Sequence, residues 1–115
     1  MYPRVVMTKA MDYEIQPETA HELQKSGKAV LLDVREPWER ETARIEPSLH
    51  IPMGDIPARV QELDPDQHVI VYCHHGVRSM NVTTWLRQQG FDSVQSMAGG
   101  IDRWSRFIDP KVPLY

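Results

Sequence analysis

Two short, uninterrupted apolar runs constrain this chain more than anything else in it: Ala29-Val30-Leu31-Leu32-Asp33-Val34 and Val69-Ile70-Val71-Tyr72. Each is too short for a buried helix and continuous rather than alternating. That is the pattern of a strand covered on both faces, as in a parallel sheet. Helical patterns stand before, between and after them. Pro17 suits a first helical turn, with Ala20, Leu23 and Gln24 on one face and Gly27 as the stop. Pro37 opens a short helix through Trp38, Glu39, Arg40 and Glu41, whose charges read as a solvated face. Ile56, Val60 and Leu63 mark one short helix that starts around Asp55 and Pro57. Val82, Trp85, Leu86 and Gln89 mark a longer helix with Ser79 as its N-cap and Gly90 at its end. Ile101, Trp104, Phe107 and Ile108 form the stripe of a last helix, and Pro110 and Pro113 belong to a tail. Residues 13–15 and 49–52 read as short strands, the first at an edge, and residues 91–97 as a turn followed by a short strand. Strands alternating with helices predict an α/β domain with a mainly parallel central sheet.

The chain has 115 residues, enough for one core. We expect residues 1–11 to be a loosely docked arm and residues 12–115 a single domain. Thirteen Lys and Arg against sixteen Asp and Glu give a net charge of −3, which argues against a globally basic nucleic-acid surface. No apolar run approaches the roughly 20 residues of a membrane span. No apolar segment of secretory type follows Met1, so a cytoplasmic location is the expectation. The one cysteine, Cys73, excludes an internal disulfide and suits a reducing compartment.

The second apolar run ends in Cys73-His74-His75-Gly76-Val77-Arg78-Ser79, and a helix follows. In a parallel sheet, ligands sit beyond the carboxyl ends of the strands, where Cys73 and Asp33 both fall. A loop curling into a helix start directs successive N–H groups at one centre and can hold a thiolate, a persulfide or an oxyanion. Gly76 permits the curl, Arg78 adds a planar cation suited to oxyanions, and His74 and His75 can donate hydrogen bonds. The alternative for the two histidines is an exposed loop role. Asp33 and Arg35 read either as a strand-end salt bridge or as substrate contacts. Trp38 either rims the pocket or covers the core, while Trp85 and Trp104 read as core. Gly99-Gly100 reads as a tight turn or a close approach to the loop. A metal site from His68, Cys73, His74 and His75 is disfavoured, because adjacent ligands rarely wrap one tetrahedral ion.

Three segments together resemble the rhodanese-like sulfurtransferases. Cys73–Ser79 is similar to that family's C-x-x-G-x-R-S loop, Leu31–Glu39 to its L-x-D-V-R-E-x-x-E segment, and Gly99–Trp104 to its G-G-x-x-x-W. They occur in the family's order and span roughly residues 13–110. The resemblance implies a three-layer domain with helices on both faces of the sheet, and no metal or organic cofactor. It also implies that the Cys73 thiolate takes sulfane sulfur from a small donor, thiosulfate or a persulfide, and passes it to a thiol or protein acceptor. His74, His75, Gly76, Val77, Arg78 and Ser79 would form the substrate loop, supported by Asp33 and Arg35.

Four residues separate Cys73 from Arg78, one fewer than in the C-x5-R loop of tyrosine phosphatases. The smaller cradle favours sulfur transfer over phosphatase or arsenate reductase chemistry. A non-catalytic binding module is the other alternative, and retention of the cysteine counts against it. Residues 42–52 depart from the family pattern: the Gly-His pair and the second Gly of G-H-I-x-G-A-x-x-I-P are absent. The loop also lacks the lysine found beside the cysteine in some thiosulfate-specialised members.

Overall fold

The computed structural model describes residues 11–115. The arm expected at residues 1–11 therefore lies, but for its last residue, outside the described part. Five strands, β1 (Glu14–Ile15), β2 (Val30–Asp33), β3 (Leu49–His50), β4 (Val69–Tyr72) and β5 (Val94–Met97), form one sheet in the order β1-β5-β4-β2-β3. Every pairing is parallel. The helices are α1 (Pro17–Lys25), α2 (Pro37–Thr42), α3 (Ile56–Arg59), α4 (Val77–Gln88) and α5 (Gly100–Phe107).

The apolar runs form the middle of the sheet for the reason their composition implies. Successive side chains of a strand alternate between faces. Leu31, Ile70, Tyr72 and Met97 pack with Ala20 of α1 and Ile101 and Trp104 of α5. Leu32, Val34, Val69, Val71 and Val94 pack on the other side with Ile56 of α3 and Val82 and Leu86 of α4. Both faces are buried, so both residue parities must be apolar, and three layers result. Among the described residues, no helix is long and apolar enough to cross a membrane.

Several expectations are corrected. The single helix read over Ile56–Leu63 is a 3-10 turn (Met53–Asp55), α3, and a second 3-10 turn (Val60–Glu62), with Leu63 buried just beyond. Gly76, not Ser79, is the N-cap of α4, so the helix begins three residues earlier and Ser79 lies inside its first turn. Gln89 is exposed, and the buried stripe of α4 runs through Ser79, Val82, Thr83 and Leu86. Phe107 is 66% exposed rather than part of the α5 stripe. In the tail, Val112 is buried with the α1/α5 cluster, and Tyr115 packs against it.

The pairing Asp33↔Tyr72 brings the C-terminal ends of β2 and β4 level, with β5 on the other side of β4. Three loops thus open at one edge of the sheet: 34–36, 73–76 and 98–99.

Candidate functional site

Cys73 follows the last residue of β4 and is only 1% exposed. Its Sγ accepts the backbone N–H of Gly76 at 3.1 Å and that of Ser79 at 3.3 Å. The thiol donates to Ser79 Oγ at 3.4 Å, and Ser79 Oγ shares a hydrogen bond of 2.8 Å with Ser96 Oγ on β5. The loop therefore curls around the sulfur as the sequence implies, with the first turn of α4 aimed at it. Gly76 adopts φ 112°, the left-handed conformation that starts this curl.

A second helix start holds the same loop from behind. The N–H of Ile101 donates to the Cys73 carbonyl at 2.9 Å, and the N–H of Asp102 donates to the His74 carbonyl at 3.1 Å. These N–H groups lack partners within α5, and the loop carbonyls satisfy them. The approach requires glycine at residue 100. A Cβ there would overlap the His74 carbonyl and lie 2.6 Å from Cys73 O, and φ is 61°. Both readings of Gly99-Gly100 are realised: the chain turns here with positive φ at each glycine, and Gly100 also approaches the loop closely.

Arg78 is not free to meet solvent anions. Its Nη1 donates to Glu39 Oε1 at 2.7 Å and its Nη2 to Glu39 Oε2 at 2.9 Å, a bidentate pair. Glu39 is 4% exposed, which overturns its reading as part of a solvated face. Its carboxylate also accepts the Glu36 N–H at 3.0 Å and the Tyr115 hydroxyl at 2.7 Å. The Arg78 hydrogen bonds, working against burial, hold the Glu39 carboxyl down at about 2. Arg78 in turn is held more firmly protonated, chiefly by Glu39.

Behind this pair lies a second one. Asp33 and Arg35 are completely buried, with Arg35 Nε on Asp33 Oδ1 at 2.8 Å and Nη2 on Oδ2 at 2.7 Å. Arg35 also donates to the Ala43 carbonyl at 2.6 Å and the Tyr115 hydroxyl at 2.8 Å. Burial works against its charge, but these partners more than offset it. Asp33 Oδ2 further accepts from the Tyr72 hydroxyl and Arg40 Nη1, each at 3.2 Å. Arg40 thereby also leaves the solvated face assigned to it. With no exposure and partners on nearly every donor, Asp33 and Arg35 hold a salt bridge at the strand end, beneath the loop.

His74 and His75 lie side by side, ring centroids 3.9 Å apart and 31° between planes. Tyr115 stacks on the other side of His74, also at 3.9 Å and nearly parallel at 7°. Burial, reinforced by His75, pushes the His74 imidazole down. Tyr115 is raised to about 12, first by burial, and so keeps its proton. Trp38 is 62% exposed and meets the Tyr115 ring edge-on, which makes it a rim residue rather than core. Val77 is exposed at the lip of the loop. Asp102 brings a carboxylate oxygen within 4.8 Å of ring nitrogens of His74 and His75. Imidazole lone pairs lie in the ring planes, so two stacked rings do not aim at a common ion. His68 is elsewhere, bonded to Gln95.

Sequence reasoning thus missed Glu39, Ser96 and Tyr115. Glu39 carried a signal, since it closes the L-x-D-V-R-E-x-x-E segment as the third residue of its short helix. Ser96 and Tyr115 carried none: one is a small residue in a buried strand, the other lies in an aperiodic tail.

Comparison with known proteins agrees with this fold. The family model described as Rhodanese-like domain matches residues 16–107. The putative sulfurtransferase YtwF of Bacillus subtilis is 42% identical over 81 residues, covering 70% of this chain and 78% of that protein. The chloroplastic Rhodanese-like/PpiC domain-containing protein 12 of Arabidopsis thaliana is 36% identical over 110 residues; the match takes in 89% of this chain but only 37% of that protein. The crystal structure of a rhodanese-related protein from Thermoplasma volcanium superposes with a TM-score of 0.79 at 31% identity, covering 90% of this chain and all of that one (100%).

Proposed function

This chain belongs to the rhodanese-like domain family, and on that premise we propose that it is a sulfurtransferase carrying sulfane sulfur as a persulfide on Cys73. The observation that carries the reading is the convergence of the Gly76 and Ser79 N–H groups on one sulfur at a strand end. Such donors favour a negative sulfur, whether the attacking thiolate or the persulfide anion it becomes. The Cys73 thiolate attacks the outer sulfur of a donor. A Cys73 S–S bond forms, the donor's S–S bond breaks, and the bonding pair leaves with sulfite when the donor is thiosulfate or with a thiolate when it is a persulfide. An acceptor thiolate, free or on a protein, then attacks the outer sulfur and regenerates the Cys73 thiolate.

The other residues support this by position. Ser79 Oγ, linked to Ser96, can turn its proton toward the sulfur once the thiol has ionised. His74, His75 and Val77 form the lip over which a donor enters. Arg78 and Glu39 tie that lip to α2, and Asp33 and Arg35 hold the ground beneath it. A lone thiol with this task suits a reducing compartment, and the cytoplasm is our proposal.

Intact mass spectrometry after exposure to thiosulfate and to several persulfides tests the reading. The protein should gain the mass of one sulfur atom, lose it to cyanide or reductant, and gain nothing as Cys73→Ser. Absence of any gain with every donor overturns it.

A further inference from the structure

We propose that Glu39 is a specificity-determining residue that turns this site away from dianionic sulfur donors and toward thiol persulfides, R–S–SH. The inference rests on the sulfurtransferase reading above and concerns the donor class.

The positive charge that the loop motif offers is already spent. Among the described residues near Cys73, Arg78 is neutralised by both oxygens of Glu39. Arg35 is neutralised by Asp33 and further engaged by Tyr115. Arg40 reaches only the other side of Asp33 and Ser48. His74 is held toward its neutral form, and Asp102 sets a carboxylate beside it and His75. Glu39 is itself locked in place by the Tyr115 hydroxyl and the Glu36 N–H, so Arg78 does not exchange partners cheaply. The backbone N–H groups of Gly76 and Ser79 are directed at Sγ itself.

The two donor classes ask different things of such a site. When the Cys73 thiolate attacks thiosulfate, three negative charges gather around one sulfur. The Cys73 S–S bond forms, the bond to the sulfonate sulfur breaks, and its electron pair leaves on sulfite. When the thiolate attacks the terminal sulfur of R–S–SH, a single negative charge is present throughout. The same bond forms, the donor S–S bond breaks, the pair leaves on RS⁻, and the proton of the resulting Cys73 S–SH passes to solvent or to RS⁻. With the loop's own arginine committed to Glu39, the first path is penalised and the second is not.

Glu39→Gln keeps the shape and the acceptor but removes the charge that holds Arg78. Arg78, whose side chain is 30% exposed, then becomes available to an incoming anion. Steady-state rates are measured for the full chain and for Glu39→Gln, with thiosulfate and with 2-hydroxyethyl persulfide, which has no other charge. The ratio of kcat/KM for thiosulfate to that for the persulfide should rise about threefold or more in the variant. A smaller rise, no change or a fall overturns the proposal. A measurement on the unaltered protein stands independently, should the variant fold poorly. Its kcat/KM for thiosulfate should not fall by more than about twofold as KCl is raised from low to physiological strength, and a steeper fall overturns the proposal, because screening weakens attraction only where a free cation provides it. Failure of the underlying reading looks different: Cys73 then gains no sulfur from either donor.

Discussion

Replacing Arg35 by Met separates a structural role for the Asp33–Arg35 pair from a role in substrate contact. Arg35 and Asp33 are both 0% exposed. Removing the guanidinium deletes two bonds to Asp33, at 2.8 and 2.7 Å, and those to Ala43 O, the Tyr115 hydroxyl and Glu39 O, at 2.6, 2.8 and 3.3 Å. Asp33 then keeps the backbone N–H of residue 35 at 3.0 Å, and Tyr72 and Arg40, each at 3.2 Å. Breaking a buried pair from one side costs roughly 3–5 kcal/mol, because the remaining charge stays buried without its partner. Met refills much of the volume and Arg40 retains part of the counter-charge, so the lower end, about 3 kcal/mol, is expected. Urea unfolding followed by circular dichroism at neutral pH reads this as a lower midpoint at unchanged slope. Arg44→Met is the control. Its pair with Glu46, at 2.7 Å, has side chains 51% and 65% exposed, and its loss should stay within about 0.5 kcal/mol. If Arg35→Met loses less than about 1 kcal/mol while persulfide formation on Cys73 disappears at a temperature where the protein is folded, the structural account is wrong and the pair contacts substrate.

Three further outcomes are expected. Gly100→Ala should destabilise far more than Gly27→Ala: both have positive φ, but nothing lies near Gly27, whereas a Cβ at residue 100 meets the Cys73 and His74 carbonyls. About 1 kcal/mol at residue 27 and 3 kcal/mol or more at residue 100 are the expected losses, read by thermal or urea melts. Glu39, lowered from 4.5 to about 2, contributes stability that is complete above pH 4.5 and is lost as pH falls toward about 2. The wild type should therefore lose about 3 kcal/mol more than Glu39→Gln across that window, measured by urea melts at stepped pH. Ser79→Ala leaves the backbone N–H on Sγ but removes the hydroxyl between Cys73 and Ser96. Single-turnover persulfide formation should slow by about tenfold with the fold retained, as for loss of one hydrogen bond to a charged sulfur.

The chain alone determined the parallel α/β layout, because strands buried on both faces need apolar residues at both parities, and the runs at 29–34 and 69–72 have them. It also determined that Cys73 sits at a strand end, in a loop that curls into a helix, since a β-run, a glycine and a helical stripe follow one another within a few residues. What it left undecided is long-range. Glu39 closes the L-x-D-V-R-E-x-x-E segment, but its surroundings in sequence are those of a short charged helix; only the parallel pairing of β2 with β4 places α2 against the loop and so makes it the partner of Arg78. Ser79 resembles an N-cap in sequence, yet the positive φ of Gly76 starts the helix earlier and turns that serine onto the sulfur. Tyr115 stands in a tail without a period, and it reaches His74, Arg35 and Glu39 because the tail packs along α1 and α5. Local patterns encode which residues form strands and helices. Which charges meet, and therefore whether the loop's arginine is free or committed, depends on contacts between residues far apart in the chain, and tertiary packing alone sets those.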